Sequence, residues 1–400
     1  MTIACPDCGT FEDLPPLGRQ STAFCIRCRQ DLETTRGRSI NAALACSLAT
    51  LLLLFPTNVL PILRVDLFGR HSENVIGVGV ATLWRHGWIV LAGLSAVFVI
   101  ILPFLRFGLL TAVLGALRLG YRPAWLGPAF RWTMRLDLWA MVDVFLLAAG
   151  VGYYRLSNIG FATITIEPGG WCFLAAALLT MLTRASLDRR TVWRAIARER
   201  EARAGESLIG CTTCDLVQPA GEHCLRCRGR LHARRWHSFS TTAAIVIAAT
   251  VLFIPANVYP MNVSMQLGVE QDYTILDGIR DLFQNGQWPL GVLVFCTSVL
   301  IPMGKNVAVG WCVLSVWRRS RRHLVTKTKL FRAVAELGRW SKTDPFTIVF
   351  FVPLVKFGAL ASADAGWGAT AFMLMTFLTF IASFTFDPRL MWDAASSAPP

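Results

Sequence analysis

The sequence predicts an all-α polytopic membrane protein made of two tandem four-helix units, each led by a small cysteine module. Three observations carry this. Of 400 residues, 54% are hydrophobic and only 16% charged, and the mean hydropathy is +0.49, which excludes a soluble enzyme with a single core. A set of prolines and polar residues recurs 199 positions later in the chain. Eight of the twelve cysteines form four Cys-x-x-Cys pairs outside the apolar runs.

In chain order, residues 1–38 are polar and hold Cys5, Cys8, Cys25 and Cys28. No basic segment followed by an early apolar run is present, so no cleaved signal peptide is expected. The first unit, 39–190, opens with a span over 39–63 that is broken near its far end by Pro56 and Pro61. Residues 64–86 alternate locally and read as a hairpin with its turn at Gly69 and Arg70. A long span over 88–117 contains Pro103 and Arg106, and a basic loop with Arg118, Arg122, Arg131 and Arg135 follows. The third span starts at Trp139 and carries Asp143, one strand is expected over 161–166, and the fourth span covers 170–187. After a charged linker, 191–206, the plan restarts: a second module at 207–234 with Cys211, Cys214, Cys224 and Cys227, a second unit at 235–390, and a disordered tail at 391–400.

Pro56 and Pro255, Asn58 and Asn257, Pro103 and Pro302, Arg106 and Lys305, Thr180 and Thr379, and Asp188 and Asp387 all lie 199 positions apart, and Asp143 and Asp344 lie 201 apart. One shared offset of this kind is the mark of an internal duplication. Four spans per unit make the repeats parallel, with both termini in the cytosol. The basic residues agree, because they gather in the loops on that side as the positive-inside rule requires. The net charge of +14 is therefore an orientation signal, and no nucleic-acid partner is expected.

Two Cys-x-x-Cys turns complete a tetrahedral shell of four thiolates, a closed structural site suited to zinc. Iron in the same shell and thioredoxin-like redox pairs are the alternatives, although no βαβ pattern accompanies the cysteines. His223 beside Cys224 is expected to be exposed. Cys46, Cys172, Cys296 and Cys312 fall inside spans, where a thiol packs as a small apolar residue.

Lys305 precedes the cluster Arg318, Arg319, Arg321 and Arg322 by 13 positions, which places it about 20 Å into the membrane. A lysine there costs at least ~2.5–3.5 kcal/mol on insertion scales, so it faces the bundle interior and seeks a partner. Asp344, where the next helix re-enters the membrane, is that partner on this reading, as a relay or as a fixed ion pair.

Two cysteine modules, each before a four-span unit with Pro-x-Asn-x-x-Pro, Pro-x-x-Lys/Arg and Trp-Ser/Ala-x-x-Asp, resemble the paraquat-inducible protein A family. The resemblance runs from Cys5 to Arg389. It implies an inner-membrane protein that works with a periplasmic MCE-domain tunnel protein in moving phospholipid between membranes, and tetraspanin-like four-helix units with small periplasmic sheets. It also carries a transport or proton-relay cluster onto Lys305, Asp344, Thr379 and Asp143, with Arg106 and Thr180 as the structural polar counterpart. The first unit departs from the second by having Arg106 where Lys305 stands, and an arginine does not release its proton. No Walker motif occurs, so the chain is not expected to be an ATPase or another enzyme. The competing readings are a passive scaffold for the tunnel protein and a membrane thiol oxidoreductase.

Overall fold

The computed structural model describes residues 2–14, 21–34, 39–67, 70–197, 208–266, 269–337 and 361–396, except positions 86, 88, 141, 144, 147–148, 151–152 and 154–161. The first module is two short antiparallel hairpins, β1 (Thr2–Ala4) with β2 (Phe11–Asp13) and β3 (Thr22–Phe24) with β4 (Asp31–Thr34). The first unit then runs α1 (Ile40–Val59), β5 (Leu63–Leu67), β6 (Arg70–Asn74), α2 (Ile76–Arg85), α3 (Ile89–Ser95), a π-helical turn (Ala96–Ile101), α4 (Leu102–Arg118), α5 (Leu126–Leu136), β7 (Ala162–Ile166), α6 (Pro168–Ser186) and α7 (Arg189–Ile196). After β8 (Leu208–Gly210) and β9 (Val217–Pro219) the second unit repeats the order. It comprises α8 (Ser238–Val258), β10 (Asn262–Gln266), β11 (Val269–Tyr273), α9 (Ile275–Gln284), α10 (Trp288–Phe295), a π-helical turn (Cys296–Leu300), α11 (Ile301–Trp317), α12 (Leu324–Leu337), β12 (Ala361–Ala365), α13 (Trp367–Thr385) and α14 (Arg389–Ser396).

Among the described residues, five helical stretches are long and apolar enough to cross a membrane: Ile40–Val59, Ala96–Arg118, Ser238–Val258, Trp288–Trp317 and Trp367–Thr385. A sixth candidate is Pro168–Ser186 with Arg189–Ile196, bent by 66° at the break. The chain is a multi-pass membrane protein. Of the other two expected spans, the third is described only at scattered helical positions from 142 onward, and the seventh, with Asp344, lies outside the described residues.

The repeated prolines Pro56 and Pro255 lie within the last turn of the first span of each unit, which ends at Val59 and Val258. Asn58 Nδ2 donates to the Leu54 carbonyl at 2.7 Å and Asn257 Nδ2 to the Phe253 carbonyl at 2.8 Å, closing the last turn. Beyond it, the Pro61 carbonyl accepts from Gly169 N–H at 3.1 Å and the Pro260 carbonyl from Gly368 N–H at 3.0 Å, which pins the start of the fourth span to the end of the first. A Cβ on Gly169 would meet the Leu60 and Pro61 oxygens at 2.6 Å, and one on Gly368 the Tyr259 oxygen at 2.3 Å. Only glycine fits there.

At this end each unit carries a three-stranded antiparallel sheet, β6-β5-β7 and β11-β10-β12. The expected hairpin and single strand are both found, with Leu67 paired to Arg70 across the turn. The hairpin is shorter than expected, because α2 and α9 take up the rest of the segment. Exposed tryptophans Trp84, Trp171, Trp288 and Trp367 mark this rim, as interfacial aromatics do.

The basic stretch expected as a loop after Arg118 is largely helical. Leu126, Phe130 and Thr133 recur at helical spacing and are buried, so α5 forms to bury them against α4 while Trp132 and Arg135 stay exposed. In the second unit α12 does the same with Thr328, Phe331 and Val334.

The two units meet through aromatic rings. Phe98 stacks on Phe377 at 5.0 Å and on Trp139 at 5.6 Å, and Trp139 presents an edge to Phe380 at 5.1 Å. Phe380, from the second unit, is a buried member of the first unit's core.

Candidate functional site

All four Cys-x-x-Cys turns have one geometry. The first cysteine's carbonyl accepts from the residue after the second cysteine, namely Gly9, Arg29, Asp215 or Arg228, at 2.9–3.1 Å. Those four residues have φ between 53° and 75°, a left-handed turn that costs a non-glycine residue roughly 1–2 kcal/mol. The turns bring Cys5, Cys8, Cys25 and Cys28 together, and likewise Cys211, Cys214, Cys224 and Cys227, with the four buried sulfurs of each group within 4.8 Å of one another. Cys5 and Cys28 Sγ are 3.4 Å apart, Cys8 and Cys25 3.5 Å, Cys211 and Cys227 3.6 Å, and Cys214 and Cys224 3.5 Å. These distances are too long for disulfides and close to the edge of ~3.8 Å expected for a tetrahedron of sulfurs at ~2.3 Å from an ion. Both clusters fit a metal ion with a closed shell. His223 is exposed, as expected.

Each module docks on the other module's unit. The first packs its cysteines against Trp392, Leu324 and Val325 of the second unit. There Arg332 pairs with Asp7 and donates to Cys28 Sγ at 3.3 Å, Arg389 Nε donates to the Pro6 carbonyl at 3.0 Å, and Arg27 lies 4.7 Å above the Trp392 ring. Burial raises the Asp7 carboxyl above the usual carboxylate range against the pull of Arg332. The second module packs its cysteines with Leu126, Phe130, Val192 and Trp193 of the first unit. A Cβ on Gly127 would lie 2.2 Å from the Arg226 oxygen, so α5 touches that module's backbone. The modules also meet each other, β1 lying beside β8.

Inside the first unit the charges form a chain. Arg106 on α4 reaches Asp137 at 2.5 Å, Arg184 on α6 bonds Asp137 at 3.0 Å and also pairs with Asp143, and Arg189 approaches Asp137 at 3.3 Å. Arg106, Asp137 and Asp143 are buried. Arg106 and Asp143, both named from the sequence, are joined through Asp137 and Arg184, which the motifs do not single out. Arg184 sits inside an apolar run and Asp137 directly precedes the Trp139 motif, and those positions were the available signal.

In the second unit the 199-residue offset puts Ser383 at the place of Arg184 and Glu336 at that of Asp137, whereas the 201-residue offset of the Asp143–Asp344 match puts Gly338 there. Lys305, in α11, is 2% exposed. Its Nζ makes no hydrogen bond among the described residues and lies 5.6 Å from the Phe380 ring. Thr379, also buried, donates to the Thr376 carbonyl at 2.9 Å, and its counterpart Thr180 donates to the Ala176 carbonyl at 2.8 Å. Asp344 lies outside the described residues. Phe380 therefore touches both Lys305 and, through Trp139, the first unit's polar motif.

Among known proteins, the chain is 28% identical over 401 residues to the intermembrane transport protein PqiA of Escherichia coli K12, covering 98% of this chain and 95% of that one. It is 28% identical over 396 residues to the lipophilic envelope-spanning tunnel protein A of the same organism, covering 98% and 91%. A probable intermembrane transport protein of Haemophilus influenzae is 24% identical over 410 residues. No solved structure gives a significant match. The family model described as paraquat-inducible protein A matches residues 40–197 and again 239–396. Both repeats are thus accounted for, and the chain belongs to the paraquat-inducible protein A family.

Proposed function

We propose that this chain is the inner-membrane subunit of an envelope lipid-transport system, passing phospholipid to or from a periplasmic MCE-domain tunnel protein, with its cysteine end and both termini in the cytosol. The relatives' names, intermembrane transport proteins and an envelope-spanning tunnel protein, support the transport role. On this reading each cysteine cluster holds a structural zinc, since four thiolates leave no open position for chemistry.

One observation carries the mechanism. The first unit's arginine at this position is paired with the Asp137 carboxylate, whereas Lys305 sits in the same scaffold with no hydrogen-bond partner among the described residues. An arginine keeps its proton and a lysine can give one up. We assign Lys305, with Asp344 and Thr379, to a proton relay that drives lipid movement. Asp143, held by Arg184, belongs with Arg106 and Thr180 in the first unit's counterpart. The scaffold reading draws on the chain of buried ion pairs from Arg106 through Asp137 and Arg184 to Asp143, which acts as a fixed brace.

Lipid transfer between membranes by the reconstituted chain and its partner decides between them. Asp344→Asn and Lys305→Ala abolish transfer on the relay reading while insertion and partner binding persist. Normal transfer in a double apolar variant of Lys305 and Asp344 would make the pair structural and end the relay proposal.

A further inference from the structure

A cleft of about 400 Å³ opens at the cysteine end of the first unit, lined by Ile40 and Asn41 of α1, Leu117 and Arg118 of α4, Arg122, and Thr191 and Ala195 of α7. Ile40 and Arg118 are terminal residues of candidate membrane spans, so the cleft lies where a bilayer places its headgroups. Ile40, Leu117 and Ala195 contribute apolar groups to its lining. Its mouth carries two exposed guanidiniums and the Asn41 amide, while the Thr191 hydroxyl is spent on Asp188 Oδ2 at 2.6 Å. Arg118 and Arg122 make no ion pair among the described residues, although Arg189, Arg190 and Arg194 on the neighbouring helix are all paired. Tyr121, Leu119 and Trp125, all exposed, continue the rim as lipid-facing groups.

The duplication supplies a comparison within the molecule. At the repeat offset the second unit has Trp317 in place of Arg118 and Leu390 in place of Thr191. Its Arg321, in place of Arg122, is tied down by a bond from Nε to the Ala395 carbonyl at 3.0 Å. The Arg118–Arg122 pair is therefore not repeated at the equivalent positions, although Arg318, Arg319 and Arg322 are exposed nearby on the second unit. Guanidiniums in pairs recognise phosphate oxygens by forked, charge-assisted hydrogen bonds, and the apolar groups of Ile40, Leu117 and Ala195 at the ends of the spans suit the acyl-glycerol part of a lipid.

We propose that this cleft binds the phosphate of an anionic phospholipid from the leaflet on the cysteine side. The assignment stands apart from the relay reading, because a scaffold with these arginines would hold the same headgroup.

The test uses the full chain in nanodiscs containing a photoactivatable phosphatidylglycerol, with crosslinked peptides mapped by mass spectrometry. Label is expected on peptides spanning 117–125 and 189–197, and not on 316–324. Arg118→Gln with Arg122→Gln should reduce it about 30-fold, the factor for two basic side chains at an anionic surface. The double lysine variant should retain most of it, which separates charge loss from misfolding. Ala195→Trp, which fills the cleft and leaves both arginines, should also abolish labelling. Equal label on the second unit's rim, or undiminished label in the glutamine variant, would overturn the assignment. Competition by glycerol phosphate or inorganic phosphate as effective as that by unlabelled phosphatidylglycerol would overturn the lipid in favour of a soluble phosphate compound.

Discussion

Arg332 and Asp7 pair across 325 positions of sequence, joining the first cysteine module to the second unit. The same guanidinium donates to Cys28 Sγ, a member of the four-cysteine cluster that fits a metal ion. Groups that bond to ligand sulfurs typically govern 10–100-fold of metal affinity. Arg332→Ala should therefore speed zinc loss from the first cluster to a chelator by roughly that factor and leave the second cluster unchanged. Equal loss from both would show that the crossed docking does not reach the metal.

Elemental analysis of gently purified protein should find about two zinc ions per chain, one for each four-thiolate shell. Cys5→Ser or Cys211→Ser should lower the amount of folded protein before altering activity per molecule, because modules this small depend on their ion. Disulfides among these eight cysteines would refute the assignment.

Asp137 receives Arg106, Arg184 and Arg189. Asp137→Asn strands buried positive charge, and breaking a buried pair from one side costs about 3–5 kcal/mol. The expected result is a large drop in folded yield and melting temperature. Arg106→Met combined with Asp137→Leu should recover part of the loss; a double variant worse than Asp137→Asn would contradict this account of the brace.

Gly127→Ala places a methyl 2.2 Å from the Arg226 oxygen, whereas a Cβ on Gly108 meets nothing within 4 Å. Hydrogen exchange over 211–231 should rise in the first variant and stay unchanged in Gly108→Ala. Identical protection in both would mean that α5 and the second module are not in contact.

A cysteine at Asn74, beside the first sheet, should react with an impermeant reagent from the periplasmic side, and one at Arg321 should not. Reversed labelling would overturn the proposed orientation.

What the sequence made legible was local or repeated. Cysteine spacing specifies the four knuckles, alternation around Gly69 specifies the hairpin, and the shared offset exposes the duplication. The helices α5 and α12 were hidden because their arginines mask an apolar stripe only three or four residues wide. Asp137 and Arg184 each resemble a stray charge in one dimension, since their pairing depends on how α5 and α6 pack. The crossed docking had a faint trace: Arg190 and Trp193 recur as Arg389 and Trp392. Nothing in that recurrence says which module each pair receives.

The crossing of modules and units also sets a clock. The first cysteine module is complete once Thr34 is made, yet Trp392, against which it packs, follows 358 residues later. At about 5–20 residues per second, the finished module waits on the order of half a minute for its seat. During that interval its sulfurs must already hold their ion or stand open to oxidation. On the zinc reading, an ion bound during synthesis protects the four sulfurs until the second unit arrives to receive them.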